Sequence, residues 1–447
     1  MASILNTVRD LERLRQIVLV LVRHGFGEVV QRTGLGSLRR QSEAPPAPDG
    51  SEPPPSGDKP NIGQRIRLVV QDLGPSFIKL GQIMSTRPDL IPKEIIDELK
   101  KLQDAVPPVA WDELEGHLER ELGLPIDEVF EHLDKEPLAS ASIGQVHRAR
   151  LKTDRGVEDV VVKIQRPNIR SVIERDLDLL HILARTLERS IPESRVYAPI
   201  KLVEEFDRAI TAELDFTLEA DNAERFAQNF VDDQTVAFPT IHREHSSKRV
   251  LTMEFLPGKK IYDAVDGGVS GKRIAQTSVQ AIVKQIFEDG FFHADPHPGN
   301  VLILGDAERP VLALIDLGLV GRLTPRMRDR TIDLMVGAVR KDYRGMADAL
   351  YQIGRPLKKI DREAFEAEVA ILADKYLGKK LGDIELSSMI RDLVYGANKY
   401  GLEIPADFLM VGKALMTIEG VGKEIYPELD VFEEVKPYFL DLLKQRY

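Results

Sequence analysis

Apolar positions recur at helical spacing through the first 30 residues, with Arg9, Arg13 and Arg15 interspersed with Asp10 and Glu12 on the polar face. The pattern predicts an amphipathic helix that docks on the rest of the protein, with an interfacial membrane helix as the sharper alternative. Residues 41–60 are rich in Pro, Ser, Gly and acidic side chains and predict a disordered linker. Helical spacing returns over 62–102, with Pro75, Pro88 and Pro92 as punctuation. A further helix is expected over 111–122, introduced by Pro107 and Pro108 and capped by Gly123.

The period then changes. Residues 146–151 and 157–164, around Thr153-Asp154-Arg155-Gly156, predict strand, turn, strand. The β-branched run Val160-Val161-Val162-Lys163-Ile164 fits a buried strand that ends before Pro167. A long helical region follows over 169–230, then short strands near 236–241 and 249–255. Beyond Gly258 the pattern is helical, apart from a strand pair at 301–304 and 311–315. No internal repeat is present. The order predicts an α+β, bilobal architecture with a hinge near Glu254 to Gly258. Its parts are an N-terminal helical segment (1–40), the linker (41–60), a helical extension (61–130), a small mixed β/α lobe with a helical insertion (131–256) and a large helical lobe (257–447).

Composition narrows the class. The 447 residues are 43% hydrophobic and 30% charged, which suits a globular protein with a sizeable core. A net charge of −11 argues against nucleic-acid binding by bulk charge. With no cysteine, disulfides, thiolate chemistry and cysteine-ligated metal sites are excluded. No apolar run approaches the roughly 18 residues of a membrane span. The run 17–22 is short, flanked by Arg15 and Arg23, and followed by no cleavage site, so no signal peptide is expected. The chain ends in a charged helical pattern through Lys444, Gln445 and Arg446, which argues against a stable membrane anchor.

Candidate chemistry concentrates in His293-Ala294-Asp295-Pro296-His297-Pro298-Gly299-Asn300, followed by the strand pair and then Ile315-Asp316-Leu317-Gly318. The pattern H-x-D-x-x-x-x-N, strand pair, D-x-G suits phosphoryl transfer. Mg²⁺ is a hard cation that prefers oxygen ligands. Asp316, at a strand end, is suited to the metal that holds the β- and γ-phosphates of ATP, and Asn300 to a second metal. Asp295 is placed to accept or orient the proton of an attacking hydroxyl or water. Taken alone, each of these residues is ordinary turn chemistry; the joint order is what speaks for a site. A His293–Asp295–His297 metal triad is disfavoured by the shaping prolines, and His293 is expected to pack beneath the loop. Lys163, inside an apolar strand, is costly unless paired. It reads as a phosphate-binding lysine held by a glutamate. The loop upstream, Ala139-Ser140-Ala141-Ser142-Ile143-Gly144-Gln145-Val146, sits where a phosphate-covering loop belongs but has one glycine, so it is expected to be stiffer than a glycine loop and to alter nucleotide selectivity or the γ-phosphate position.

Together these residues resemble the UbiB family of atypical kinases, over about residues 62 to 323. Lys79-Leu80-Gly81-Gln82 looks like the family's K-x-G-Q motif. Ala139-Ser140-Ala141-Ser142 looks like its alanine-rich loop, with Ser140 in place of a common alanine, and Glu213-Leu214-Asp215 looks like its E-x-D motif. The resemblance implies a kinase-like fold that binds ATP and Mg²⁺, with Lys79 and Gln82 facing the nucleotide pocket and Glu213 and Asp215 holding the extension. Between Glu174 and Glu219 as partner of Lys163, it favours Glu219. The cofactor-binding set it implies also takes in Val146 and the hinge residue Glu254. It further implies an ATPase or small-molecule kinase supporting ubiquinone or other isoprenoid-lipid synthesis, cytoplasmic and in peripheral contact with the inner face of a membrane. A quinone precursor or isoprenoid lipid is the implied partner. No long activation segment and no A-P-E sequence follow Gly318, which argues against a peptide-docking platform. A phosphotransferase acting on a small hydroxylated substrate and a nucleotide-gated lipid-handling scaffold are the alternatives. Residues after Thr324 read as helical and suggest no chemistry.

Overall fold

A computed structural model describes residues 8–36, 60–85, 87, 90–102, 106–377, 386–431, 433–435, 437 and 438. The predicted linker, Pro60 apart, lies outside the described residues, as do Pro88 and the C-terminal Lys444, Gln445 and Arg446. The chain divides into two compact units, Met1–Arg148 with Lys163–Leu214, and Ala149–Val162 with Asp215–Tyr447.

The first unit begins with α1 (Val8–Arg23) and α2 (Gly27–Arg32). Leu14, Ile17 and Val18 of α1 are buried, so the apolar face is spent on packing. Then come α3 (Ile62–Leu73), α4 (Pro75–Ser85), α5 (Lys93–Leu99), α6 (Trp111–Leu122) and α7 (Ile126–Val129). Asn61 and Gln64 form a reciprocal capping box at the start of α3, and Gly123 closes α6 with φ +72°. Strands β1 (Phe130–Leu133), β2 (Ala139–Ser140), β3 (Gly144–Thr153) and β4 (Gly156–Gln165) follow, of which β3 and β4 contribute to both units. Here β1 and β2 pair with β3. Two long helices, α8 (Ile169–Ser190) and α9 (Pro199–Glu213), complete the unit. Arg13 fixes α1 to α8 as predicted for a docked helix. Its guanidinium reaches both oxygens of the buried Asp176 at 2.7 and 2.9 Å and the Leu73 carbonyl at 2.8 Å.

In the second unit β4 pairs with β6 (Val250–Glu254), and the Phe255 N–H donates to Asp159 O at 3.0 Å. Ahead of β6 lie α10 (Phe216–Asn229) and β5 (Val236–Ala237). The strand expected over 236–241 is regular only at Val236 and Ala237, because Pro239 has no N–H for a ladder; Ile241 makes one isolated bridge to Met253. Then come β7 (Lys259–Lys260), α11 (Ile261–Asp266), α12 (Gly271–Lys284), β8 (Phe291–His293), β9 (Val301–Gly305), β10 (Pro310–Leu314) and β11 (Val320–Arg322). Strands β5, β10, β9 and β7 form one sheet in that order, and β8 pairs with β11. The remainder is α13 (Pro325–Arg340), α14 (Tyr343–Ile353), β12 (Arg355–Pro356), α15 (Arg362–Leu377), α16 (Leu386–Lys399), β13 (Leu402–Glu403) and α17 (Ala406–Ile425). Ile286, Phe292, Ala414 and Ile418 share one buried cluster, and Phe226, Phe291, Leu314 and Leu317 another. The loop between β8 and β9 thus rises from apolar packing.

Candidate active site

The β9–β10 hairpin and the β8–β11 strand pair of the second unit bring the predicted loop residues together. Antiparallel β9 and β10 pair Val301 with Leu314. One step further out, the Ile315 N–H donates to Asn300 O at 3.0 Å, so Asn300 and Asp316 leave the ladder at the same end. Antiparallel β8 and β11 pair His293 with Val320, and the Ala294 N–H donates to Leu319 O at 3.1 Å. Asp295 is thereby held opposite the Asp316-Leu317-Gly318 turn. The Asn300 amide donates to Asp295 O at 3.3 Å, leaving its side-chain oxygen as an acceptor. Gly318 N–H donates to an Asp316 carboxylate oxygen at 3.2 Å. Asp295, Asn300 and Asp316 are all half-buried.

Helix α10 supports this turn with two side chains one turn apart. Glu219 is buried, and a Cβ built on Gly318 would lie 3.4 Å from Asp316 Oδ1 and 3.8 Å from Glu219 Oε2. Asn222 is also buried and donates to Leu317 O at 2.9 Å. Spacing i, i+3 puts both on one helical face. Two carboxylates flanking one backbone turn concentrate negative charge there, an environment that favours cations.

Beneath the loop, His293 is fully buried, as expected. Its Nδ1 lies 3.3 Å from the Asp295 N–H and 3.3 Å from Leu319 O. Burial holds the imidazole below its ordinary pKa, against the pull of Asp316 and Asp295. The His293 N–H in turn donates to the buried Gln285 side chain at 2.9 Å. Gln285 opens a short π-helical turn, Gln285–Asp289, at the end of α12. His297 is taken up by local structure, its Nδ1 accepting the Gly299 N–H at 3.0 Å. Lys260 donates to Gly299 O at 3.0 Å. From α17, Lys413 Nζ comes within 3.1 Å of Asp295 Oδ1. The hinge residue Glu254, at the end of β6, accepts from the Thr240 N–H at 3.1 Å and the Thr240 hydroxyl at 2.8 Å. Sequence reasoning missed Asn222, Gln285 and Lys413. Only Asn222 left a signal, its position three residues after Glu219.

In the first unit, Lys163 is half-buried on β4. Glu174 of α8 has a side chain 59% exposed and pairs with Arg170 at 3.4 Å, which commits it to the helix surface. The predicted phosphate loop is a small hairpin in which Ala139 pairs with Val146 and Ser140 with Gln145. Arg166 clamps it, donating to Ser140 Oγ at 2.8 Å, Ala141 O at 3.0 Å and Pro107 O at 2.8 Å. That bond gives Ser140, the departure from alanine, a structural use. Ser142 is buried, and its hydroxyl has no hydrogen-bond partner among the described residues. The loop's one glycine, Gly144, is needed for close approach, since a Cβ there would sit 2.7 Å from Ile164 O. Lys79 pairs with Glu213 at 2.7 Å, joining α4 to the end of α9. Gln82 is half-buried on α4. Asp215 does different work from Glu213. It caps α10 by accepting the Thr217 N–H at 3.1 Å and pairs with Lys248 at 3.3 Å.

Residues 101–350 match the model of the ABC1 atypical kinase-like domain, and residues 369–430 that of the UbiB helical domain. The chain is 38% identical over 386 residues to the "Probable protein kinase UbiB" of Azotobacter vinelandii, covering 86% of this chain and 71% of that one. It is 34% identical over 436 residues to the protein of that name from Aliivibrio fischeri, covering 97% and 79%. The chain belongs to the UbiB family. The solved structure of Rv3197 with erythromycin, from Mycobacterium tuberculosis, aligns with a TM-score of 0.56 at 21% identity. It covers 82% of this chain and 93% of that one. The fold is protein-kinase-like, mixed α+β, with helices preceding the kinase-like domain.

For a UbiB-family member, the kinase-like domain implies ATP binding. Asp316 and Asn300 offer carboxylate and amide oxygens, the ligand type of Mg²⁺. The orphaned Ser142 hydroxyl is a polar atom that a ligand would satisfy. The family's helical-domain model also extends past Thr324, over the stretch whose sequence suggested no chemistry. Among the described residues, no helix is long and apolar enough to cross a membrane.

Proposed function

We propose that this protein is a Mg²⁺-dependent, ATP-consuming atypical kinase or ATPase serving ubiquinone or another isoprenoid-lipid pathway. The observation that carries the chemical part is the convergence of Asp295, Asn300 and Asp316 at the ends of the β9–β10 hairpin and the β8–β11 pair, backed by Glu219 and Asn222. Asp316 and Asn300 would hold Mg²⁺, which when bound neutralises charge on the β- and γ-phosphates. Asp295 accepts or orients the proton of the attacking hydroxyl or water. From the motif resemblance, Lys163 serves the α- and β-phosphates with Glu219 as its carboxylate partner. Lys79, Gln82, the loop 139–142, Val146 and Glu254 make up the rest of the nucleotide set. The burial of Glu219 beside Gly318 and the exposure of Glu174 favour this choice of partner. The lipid part of the proposal rests on the family, whose curated relatives carry the name UbiB.

The test is ATP hydrolysis by purified protein with and without Mg²⁺, anionic-lipid vesicles and a quinone-precursor phenol, alongside Asp316→Asn. Mg²⁺-dependent hydrolysis that rises with lipid and falls ~10²-fold or more in the variant is the expected result. Hydrolysis by Asp316→Asn at the wild-type rate would refute the metal assignment.

A further inference from the structure

Lys413 of α17 reaches the predicted loop. It lies on α17 between buried Val411 and Gly412 on one side and buried Ala414 and Leu415 on the other. Its side chain is 26% exposed and that of its partner Asp295 is 32% exposed. An ion pair this open adds little to stability, so packing gives little reason for a lysine at this point of an apolar helix. The chemistry gives a better one. Between Asp295 and Asn300 stand Pro296, His297, Pro298 and Gly299, so the loop brings no permanent cation of its own. Lys260 reaches the loop but donates to a backbone carbonyl, Gly299 O. Phosphoryl transfer is catalysed almost entirely by positioning and by cations at the equatorial oxygens. A lysine ammonium has three donors. One serves Asp295, and two remain for a phosphoryl group brought up to that carboxylate.

We infer that Lys413 is a catalytic residue supplied by the helical domain, holding Asp295 in place and donating to the phosphoryl group in transfer. The inference rests on the proposed ATP-consuming function. In the step, the acceptor oxygen bonds to the γ-phosphorus as the bond from that phosphorus to the bridging oxygen breaks. The bond's electron pair leaves on ADP, the acceptor's proton passes to Asp295, and Lys413 keeps its proton throughout.

The experiment compares Lys413→Met, Lys413→Gln and Lys413→Arg with wild type and Asp316→Asn. It reads kcat and KM for Mg²⁺-dependent ATP hydrolysis, equilibrium affinities for ADP and a non-hydrolysable ATP analogue, and melting temperature. The uncharged variants are expected to melt like wild type and to lose ~10²-fold in kcat. They should bind ADP normally while losing preference for the ATP analogue, and Lys413→Arg should recover part of both. An unchanged kcat with an unchanged analogue-to-ADP ratio overturns the role of Lys413 and leaves the enzyme's function standing. So does a loss that weakens both nucleotides equally and tracks a lower melting temperature, which is the mark of a structural lysine. A wild-type protein that neither binds nor hydrolyses Mg·ATP overturns the functional proposal, and this one with it.

Discussion

Asn222 shows how much a single side chain can hold. Its amide is the partner of the Leu317 carbonyl, and both lie in the interior beside the turn that carries Asp316. Asn222→Ala leaves that carbonyl buried and unpaired, at a cost of about 1–3 kcal/mol. The urea midpoint should fall accordingly, and kcat should fall further than stability alone explains, because the turn loses its anchor to α10. Asn222→Asp tests the same point from the other side. It cannot donate to the Leu317 carbonyl but keeps an oxygen for the Arg322 guanidinium, which lies 3.5 Å from Asn222 Oδ1, so the turn should stay loosened although that contact survives. Ser140→Ala, by contrast, removes only one of the acceptors of Arg166, the Ala141 and Pro107 carbonyls remaining. Its cost should stay near or below about 1 kcal/mol in the same assay.

At the scale of elements, Gly81 explains why the K-x-G-Q motif needs its glycine. A Cβ there would lie 2.5 Å from Leu102 Cδ1 and 3.1 Å from Val70 Cγ1, so α4 could not keep its distance from α3 and the end of the α5 segment. Gly81→Ala overpacks that contact and should cost about 1–3 kcal/mol in chemical denaturation, more than the helix-propensity gain returns. This glycine was legible in the sequence as part of a motif, but its reason was not, since Leu102 and Val70 meet it only after three helices fold. The same division runs through the molecule. Helix α6 and its Gly123 cap were readable because capping is local. The strand β11 was not, because three residues around Gly321 carry no period and become a strand only by pairing with β8. Asp295, Asn300 and Asp316 were readable because one loop and one hairpin carry all three. Lys413 was not, because a lysine in an apolar helix has no local pattern pointing to a loop so far back in the chain.

At the scale of the whole molecule, histidine burial sets a pH dependence that neither unit shows by its sequence. Burial pushes His147, His245 and His293 below the ordinary imidazole range. His147 illustrates the cause. It is fully buried, its Nδ1 lies 2.7 Å from Asp134 O, Gln145 Nε2 approaches its other nitrogen at 2.8 Å, and Trp111 meets it edge-on. Unfolded imidazoles take up protons near pH 6.5. The folded ones resist, so below that pH the unfolded chain binds more protons and stability falls with pH. Their contribution is whole above about pH 6.5 and is lost as pH drops toward the lowered folded values. Asp289 acts in the opposite sense, because burial raises its carboxyl above the usual range despite Lys284, and it gains stability as pH falls toward the ordinary carboxylate value. One carboxyl against three imidazoles leaves a net loss. The urea midpoint should therefore be level from about pH 8 to 7 and decline steadily below about pH 6.5. The decline should persist at high salt, since desolvation is not screened as an exposed ion pair is. His147→Gln, which keeps a polar side chain without a titrating ring, should flatten part of it. A midpoint that holds or rises on acidification would mean that the buried imidazoles accept protons as readily in the folded chain as outside it.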